Sequence, residues 1–302
     1  METPRAPNTS AVIMKATLLL LIGITLTMTS SWAADSAWKP LFNGSDLAGW
    51  ETYLHKPHLS FDVPGLKRDT NGVYLEAIGV NKDPLKVFTV ESVDGHPAVH
   101  ISGQGFGVMQ TVQHYTNIHM RLQVKWGEKR WPPRANVVRD SGLLYFCHGP
   151  HAYRGDAWPR SIEFQIQEHD MGDLYATGAA ITVPAKRVFI AEGRTNFVYD
   201  PSGERIEFLQ KRPISNRCIK REDAEKPRGE WNTLELICFN GDSIHVVNGK
   251  VVMRLYQAQR LDADSPAPLK SGALCLQTEG AEVFYRNIEV RSIEAIPAEF
   301  KE

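Results

Sequence analysis

The sequence predicts an all-β protein folded as an antiparallel β-sandwich, and two observations support that class. Polar and apolar residues alternate without a fault over 117–126 and again over 161–167, as in strands with one solvent face and one core face. No long segment shows a helical period. Many short strands without intervening helices favour a sandwich or a barrel.

The strand candidates are spread along the chain from residue 72 to residue 292. They lie at 72–78, 86–91, 107–113, 117–126, 142–147, 161–167, 231–239, 272–278 and 283–292. The clearest hairpin joins 243–247 to 250–256 through Asn248-Gly249. This dipeptide suits a two-residue type I′ turn, because both central positions of that turn need a positive φ.

Two stretches are expected to be irregular. The segment 127–140 carries the run Trp131-Pro132-Pro133, and prolines do not fit inside a central strand. The segment 200–230 is rich in charge, proline and glycine, which is typical of a long surface loop. No internal repeat or linker divides the chain, so residues 34–302 are predicted to form a single domain.

The N-terminal segment predicts export. Met14-Lys15 is followed by an apolar run to Met28 and by a small-x-small cleavage pattern that ends at Ala33, which are the parts of a signal peptide. The run is shorter than the ~20 apolar residues of a membrane span, although a retained N-terminal anchor is the alternative. Residues 1–33 are therefore predicted to be removed, and the mature protein to be periplasmic or extracellular, without a membrane anchor.

The charge balance bears on the kind of partner. The chain has 34 basic and 35 acidic residues and a net charge of −1. A nucleic-acid or anionic-membrane surface would show as a basic excess or stripe. The composition therefore favours a neutral ligand and predicts no nucleic-acid partner.

The four cysteines are Cys147, Cys218, Cys238 and Cys275. Cys238 and Cys275 lie in predicted strands, where burial as small apolar residues is the ordinary role of a free cysteine. An exported chain also meets an oxidising compartment, and four cysteines allow three complete disulfide pairings between which sequence does not decide. No CxxC or paired-histidine spacing indicates a zinc site.

The strand 161–167 carries the richest polar face. Glu163, Gln165 and Gln167 share one side of a regular strand, and the other side carries Ile162, Phe164 and Ile166, which are expected in the core. Glu168 would point away from the polar side unless a β-bulge re-aims it. The plainer interpretation is a solvated strand face, as antiparallel sheets commonly have.

Aromatic and basic residues surround this strand in sequence and suggest sugar binding. The nearby candidates are Trp126, Trp131, Tyr145, Tyr153, Trp158, His148, His151, Arg139 and Arg154. Flat aromatic rings and a few polar groups are what sugar sites use, although Trp126 falls at an inward position and is expected in the core. Gln277 and Glu279 share one face of a later strand and could extend the polar surface.

Four segments, in order along the chain, resemble the 3-keto-disaccharide hydrolase domain family. They are 40–50, 140–145, 162–166 and 284–289, and the resemblance runs from about residue 38 to 293. It implies a concanavalin A-like jelly roll and action on sugars oxidised at C3. Asp140 stands where the family usually has asparagine, and 167–169 replaces a more aspartate-rich continuation.

The implied chemistry is elimination, because a ketone at C3 acidifies the proton at C2. Glu163 is expected to be the base, with Glu168 or His148 as the acid that protonates the leaving oxygen. The candidates for substrate binding are Gln165, Arg139, Tyr145, Arg154, Trp131, Trp158, Gln277 and Glu279. The predicted partner is a small carbohydrate, no cofactor or metal ligand is assigned, and a bound divalent metal stays open.

Two other functions fit parts of the same pattern. Laminarinase-type glucanases share this fold and have a catalytic strand that reads Glu-x-Asp-x-(x)-Glu, which Glu163, Gln165 and Glu168 match except for the central aspartate. A retaining glycosidase needs carboxyl groups about 5–5.5 Å apart, so that function would require the bulge. A non-catalytic carbohydrate-binding module would need the aromatic residues but no acid–base pair.

Overall fold

Two antiparallel sheets form the protein in a computed structural model, which describes residues 1–3, 37–191, 194–210, 215–262 and 265–301. Beyond residue 3, the predicted signal peptide lies outside the described residues. Residues 35–302 form one compact unit. Within the described ranges, no helix is long and apolar enough to cross a membrane.

The larger sheet contains β1 (Lys39–Pro40), β4 (Phe88–Val93), β5 (His96–Ile101), β8 (Ile118–Arg130), β12 (Ala179–Ala191), β13 (Arg194–Tyr199), β14 (Glu204–Leu209), β16 (Asn232–Phe239), β17 (Asp242–Val247), β18 (Lys250–Arg260), β19 (Ala267–Pro268) and β21 (Ala281–Ser292). Its strands follow the order β13-β12-β18-β17-β16-β8-β21-β5-β4, with β1, β14 and β19 paired alongside. A short 3₁₀ helix, Ala298–Phe300, follows the last strand.

The smaller sheet contains β2 (Trp50–Leu54), β3 (Gly79–Val80), β6 (Phe106–Thr111), β7 (Tyr115–Thr116), β9 (Asp140–His148), β10 (Arg160–Gln167), β11 (Leu174–Thr177), β15 (Arg217–Cys218) and β20 (Ser271–Glu279). Its strands follow the order β15-β11-β10-β9-β20-β6-β2-β3, with β7 paired to β20. All of its paired neighbours are antiparallel.

The core lies between the two sheets and is built from the inward residues of each. Phe164 of β10 stacks on His245 of β17 with ring centroids 4.2 Å apart. The Tyr145 hydroxyl of β9 lies 2.8 Å from Ser243 Oγ and 3.0 Å from His245 Nε2 of the opposite sheet. Ile162 and Ile166 are fully buried in the same cluster, and each such side chain contributes about 1.5–3 kcal/mol of hydrophobic free energy. The predicted antiparallel sandwich is confirmed.

Most predicted strands are confirmed, including the hairpin, in which Val247 pairs with Lys250 around Asn248-Gly249. The strand predicted at 72–78 is wrong. That segment forms turns around an isolated bridge between Arg68 and Tyr74, and the buried Tyr74 hydroxyl donates to Phe61 O. Tyr74 and Ile78 are buried in the core although the segment forms no ladder.

The long irregular loop predicted over 200–230 is wrong in part. β14 lies inside it and pairs with β12, from Ala180 opposite Leu209 to Ala185 opposite Glu204. The sequence pattern did not indicate β12 itself, because this strand contains Pro184 and several alanines, residues that are depleted in strands. Its pairing with three strands, β13, β14 and β18, supplies the stabilisation that local propensity lacks.

Candidate active site

The outer face of the smaller sheet carries the polar residues that face away from the core. Gly142 lies directly opposite Gln165 across the β9–β10 ladder, and Glu163 lies opposite Leu144. On the other side of β9, Cys275 pairs with Leu144, which brings the later positions of β20 beside Gly142. Two glutamine-bearing strands therefore flank a glycine on the central strand.

The absence of a side chain at Gly142 makes room for its neighbours. A Cβ at this position would collide with Glu163 Oε1 and would lie 2.5 Å from Gln277 Oε1. The carboxyl of Glu163 and the amide of Gln277 therefore meet over the Gly142 backbone. The glycine is needed here for the space that its missing side chain leaves. It is not needed for an unusual backbone conformation, since its φ is not in the left-handed region.

An open groove of about 330 Å³ lies above this floor, a size within the usual range for small-molecule sites. Its walls are almost entirely polar. They consist of Arg134, Asp140, Asp156, Trp158, Glu163, Gln165, Gln167, Tyr175, Thr177, Gln210, Asn216, Gln277 and Glu279. Four predicted site residues besides Glu163 lie here: Gln165, Trp158, Gln277 and Glu279.

Three carboxyl groups of the groove, which we call the acidic cluster, perturb one another: Glu163, Asp140 and Glu279. Burial raises the pKa of Glu163 well above its usual range, and the neighbouring Glu279 and Asp140 charges raise it further. Burial, with Asp140 beside it, raises the pKa of Glu279 to about 8. Burial also raises the pKa of Asp140 to about 6. Because like charges at close range do not all ionise together, the cluster holds both carboxyl and carboxylate forms near neutral pH.

Arg134 provides the positive charge that faces this cluster. Its Nη2 lies 2.5 Å from Asp140 Oδ2, and its Nη1 lies 3.6 Å from Glu279 Oε1. The Gln167 amide donates to the same Asp140 Oδ2 at 2.5 Å. These contacts favour the ionised form of Asp140, so the pKa of Asp140 rises less than burial alone would cause.

Two buried acceptor atoms of the groove have no hydrogen-bond partner among the described residues, namely Asp140 Oδ1 and Gln277 Oε1. Asp140 is 4% exposed and Gln277 is 1% exposed. An unsatisfied buried acceptor costs about 1–3 kcal/mol, and a ligand hydroxyl that donates to it removes that cost. The site is therefore suited to a ligand rich in hydroxyl groups.

Aromatic rings form the apolar part of the groove. The Trp158 ring stacks on Phe106 with centroids 5.8 Å apart and planes at 28°, and it is half-buried. Tyr175 lies opposite Glu163 across the β10–β11 ladder, and burial raises the pKa of its hydroxyl to about 12. The Tyr175 hydroxyl therefore remains protonated and able to donate.

Glu168 and Arg139 lie together outside the groove. Arg139 Nη1 is 3.1 Å from Glu168 Oε1, and the Arg139 backbone N–H donates to Glu168 Oε2 at 3.0 Å. Arg139 also donates to the carbonyl of Gly127. The bulge that could have turned Glu168 toward Glu163 is not there: β10 ends at Gln167, and its register shift falls between Arg160 and Ile162. The two charges satisfy each other and tie a loop to the strand end.

The remaining predicted site residues are also placed away from the groove lining. Tyr145 is fully buried between the sheets, with its hydroxyl committed to Ser243 and His245. His148 is half-buried at the end of β9 with Nδ1 3.0 Å from Phe146 O, and burial lowers its pKa. The Tyr145 ring therefore packs in the core, and the His148 ring is held by the backbone of its own strand.

Trp131 and Arg154 have local partners instead of groove positions. Trp131 Nε1 donates to Ser102 O at 2.8 Å, and its ring lies 6.0 Å from Phe61. The exposed Arg154 lies over the Tyr153 ring, 5.2 Å from its centroid. Neither residue belongs to the lining of the groove.

Among the groove residues that were not predicted as site residues, three take part in the chemistry of the acidic cluster or border it: Arg134, Asp140 and Tyr175. Asp140 had a signal, because it is the position at which the sequence departs from the usual asparagine of the resembled family. Arg134 had none, since it lies in the loop after β8 and reaches the cluster only through the fold. Tyr175 is set by the pairing of β11 with β10.

Comparison with protein families adds an independent observation. Residues 37–291 match the 3-keto-alpha-glucoside-1,2-lyase-like domain. The chain belongs to this family. The resemblance indicated by the four sequence segments is confirmed, and membership of the 3-keto-alpha-glucoside-1,2-lyase-like family supports a carbohydrate-active function. All of the groove-lining residues fall within the matched range.

Several solved structures resemble this member of the family in fold. A candidate glycosyl hydrolase from Parabacteroides distasonis ATCC 8503 aligns with a TM-score of 0.44 at 18% identity, covering 85% of this chain and 94% of that chain. A carbohydrate-binding module from Bacillus subtilis aligns with a TM-score of 0.38 at 8% identity, covering 68% and 92%. A β-glucanase from Bacillus licheniformis aligns with a TM-score of 0.37 at 10% identity, covering 87% and 100%. No curated protein matches the chain.

Metal binding has no arranged ligand set in the part of the chain that the structure describes. There, no group of three or more His, Cys, Asp or Glu side chains is positioned to hold a metal ion. The acidic cluster is instead arranged around Arg134. The chemistry assigned below uses the side chains of the groove.

Proposed function

We propose that the protein cleaves 3-keto-glycosides by removing the C2 proton with Glu163 and expelling the C1 aglycone. The observation that carries this proposal is the acidic cluster of the groove, three neighbouring carboxyl groups whose pKa values are raised by burial and by the nearby negative charges. A C3 ketone makes the C2 proton acidic, so a carboxylate of raised pKa can remove it. Family membership supplies the substrate class.

The elimination proceeds in two steps. Glu163 takes the C2 proton, and the electron pair forms an enolate whose negative charge rests on O3. The enolate then collapses, the C1–C2 double bond forms, the C1–O bond breaks and the aglycone leaves with a proton. Addition of water across the new double bond would complete a net hydrolysis.

Acid and base both come from the acidic cluster. Because its members titrate as a coupled group, one carboxyl can keep its proton while another is ionised. We assign the leaving-group proton to Glu279, whose pKa is raised to about 8. The pKa of Glu163 is raised as well, so the reactive form is the fraction of molecules in which Glu163 is ionised while Glu279 keeps its proton. Active sites divide acid and base roles between neighbouring groups by placing them in environments that separate their pKa values.

The amides of the groove are suited to stabilise O3. Gln165 Oε1 accepts the hydrogen bond of the Ile166 N–H at 2.8 Å, which orients the side chain and leaves its NH₂ group to donate into the groove. A donor prepared before the reaction stabilises developing oxyanion charge without reorganisation. Trp158, stacked on Phe106, offers a flat surface for the C–H face of a sugar ring.

The geometry favours this elimination over glucan hydrolysis by the predicted carboxylate pair. Glucanase chemistry on this strand requires Glu163 and Glu168 to face one bond, and Glu168 is committed to Arg139 outside the groove. A purely non-catalytic binding module would gain nothing from three buried, mutually repelling carboxyl groups, since buried charge is costly. Export through a signal peptide at residues 1–33 is part of the proposal, and N-terminal sequencing of the mature protein tests it.

The test compares wild type with Glu163→Gln on a disaccharide and on its 3-keto form, following release of the aglycone. We expect release only from the keto form, and a 10²–10⁴-fold lower kcat in the variant, the usual contribution of a positioned acid or base. Deuterium at C2 should slow the wild-type reaction. Glu289→Gln, which lies on the opposite sheet in an exposed ion pair with Arg121, is the matched control and should retain full activity.

Two outcomes would overturn the proposal. Full activity of Glu163→Gln would remove Glu163 from the chemistry. Equal cleavage of the unoxidised disaccharide, without a C2 deuterium effect, would point to direct glycoside hydrolysis. Thermal unfolding of both variants checks the fold, and we expect it to be close to wild type because glutamine matches the shape of a protonated glutamate.

A further inference from the structure

Two cysteine side chains meet on the outer face of the smaller sheet. Cys275 Sγ lies 3.2 Å from Cys147 Sγ, and both residues are buried, with exposures of 0% and 1%. They belong to the neighbouring strands β20 and β9. The positions directly opposite each other are Ala273 with Cys147 and Cys275 with Leu144, so the two sulfurs meet diagonally.

A β-bulge in β9 creates this contact. The register shifts between the two pairs just named, so β9 advances three residues while β20 advances two. Phe146, inside the bulge, has φ +54°, which is uncommon for a residue other than glycine. Without the bulge, strict alternation would direct Cys147 to the same face as Tyr145, which lies in the core between the sheets.

The bulge changes which face each side chain occupies. Tyr145 and Phe146 both join the core cluster between the sheets, whereas Cys147 joins a separate cluster on the outer face with Leu144 and Cys275. An extra residue that redirects a side chain is the recognised effect of a bulge. The fold thus places Cys147 beside Cys275 by means of a local distortion.

The other two cysteines have no such neighbour. Cys218 lies on β15 and its Sγ contacts Ile219 O at 3.8 Å, and Cys238 lies on β16 in the larger sheet. Burial raises the thiol pKa of each. Among the described residues, Cys147 and Cys275 are the pair whose sulfur atoms are in contact.

We infer that Cys147 and Cys275 form a disulfide bond when the folding chain meets a disulfide oxidant. The S–S bond length of 2.03–2.05 Å requires the sulfurs to approach by about 1.2 Å, which small side-chain rotations supply. The two thiols lose two protons and two electrons, and the oxidant, a low-molecular-weight disulfide or the disulfide of an oxidoreductase, is reduced to two thiols. Cys218 and Cys238 remain thiols.

The bond would reinforce the groove floor. It joins β9, which carries Asp140 and Gly142, to β20, which carries Gln277 and Glu279. The loop that it closes is long, because the two cysteines are 128 residues apart in the sequence, and long loops gain the most from a cross-link in the chain-entropy account. The inference rests on the two sulfurs and does not depend on the sugar chemistry proposed above.

The experiment refolds the reduced, denatured chain in a buffer of reduced and oxidised glutathione. The product is quenched with acid, denatured, alkylated without reduction and mapped by mass spectrometry after proteolysis. We expect two alkylated cysteines, Cys218 and Cys238, and one cross-linked peptide pair that contains Cys147 and Cys275. Reduction before alkylation should convert that pair into two alkylated peptides.

Two matched variants sharpen the result. The double variant Cys218→Ala/Cys238→Ala should retain the cross-link and show no alkylation. Cys147→Ala should show three alkylated cysteines. Four alkylated cysteines in refolded wild type, or a cross-link that includes Cys218 or Cys238, would overturn the inference. The wild-type map decides the question even if a variant folds poorly, because circular dichroism confirms native structure in the sample that is mapped.

Discussion

Substitution of Gly142 by alanine tests the idea that a missing side chain holds the acidic cluster in place. The new Cβ would collide with Glu163 Oε1 and would lie 2.5 Å from Gln277 Oε1, whereas ordinary contact begins at 3.4 Å. Both neighbouring groups are ends of side chains that border the groove, so they can yield. The carboxyl of Glu163 and the amide of Gln277 should each move by about 1 Å, since that restores ordinary contact.

The expected loss follows from that displacement. A misplacement of about 1 Å costs roughly 10²-fold in rate, which corresponds to about 2.7 kcal/mol of transition-state stabilisation. The cost to folding should be about 1–3 kcal/mol, as for other added methyl groups in packed regions. The backbone contributes no strain, because Gly142 has no left-handed φ.

The assay measures kcat and KM for a 3-keto-glycoside in a double-mutant cycle with Glu163→Gln. If Gly142 acts through Glu163, Gly142→Ala should lower kcat about 100-fold in wild type and change it little in the Glu163→Gln background, because interacting sites are not additive. A wild-type kcat in Gly142→Ala, or the full 100-fold loss repeated in the double variant, would refute the reasoning. Thermal unfolding separates displacement from loss of the fold.

Three further predictions concern charge, binding and packing. Asp140→Asn removes a negative charge that raises the pKa of Glu163 and Glu279; lower values for both groups should move the pH profile of kcat/KM to lower pH, and an unmoved profile would contradict the coupling. Trp158→Ala should raise KM more than it lowers kcat, which steady-state kinetics on the keto substrate measures, whereas an unchanged KM would exclude a sugar platform. Phe164→Ala, in the buried stack on His245, should lower the free energy of unfolding by about 3–5 kcal/mol in denaturant titrations, with Phe164→Leu as the milder control.

Features that depend on neighbours within one strand were predictable. The alternation at 161–167 places Ile162, Phe164 and Ile166 in the core and turns Glu163 and Gln165 toward the groove. The Asn248-Gly249 turn follows in the same way from the dihedral angles that a two-residue hairpin requires. Such features are local because a strand repeats every two residues, so the printed order of residues already contains them.

Local reasoning fails where a backbone irregularity intervenes. Regular alternation puts Tyr145 and Cys147 on one face, whereas the bulge at Phe146 separates them. A bulge at Glu168 was the condition for turning that side chain toward Glu163, and the strand instead ends before it, with Glu168 in an ion pair with Arg139. Whether an extra residue is accommodated depends on the partner strand, and the partner is not visible in the segment itself.

The sequence by itself determined the class of the fold, the inward and outward faces of its regular strands, and the family. Only the tertiary structure decided that β20 lies beside β9 and that Arg134 reaches Asp140 and Glu279. The acidic cluster joins residues more than 100 positions apart, and strand pairing at that separation is selected by the packing of two whole sheets around one core. Side-chain alternation is a property of a few neighbouring residues, whereas an active site assembled across strands is a property of the complete fold.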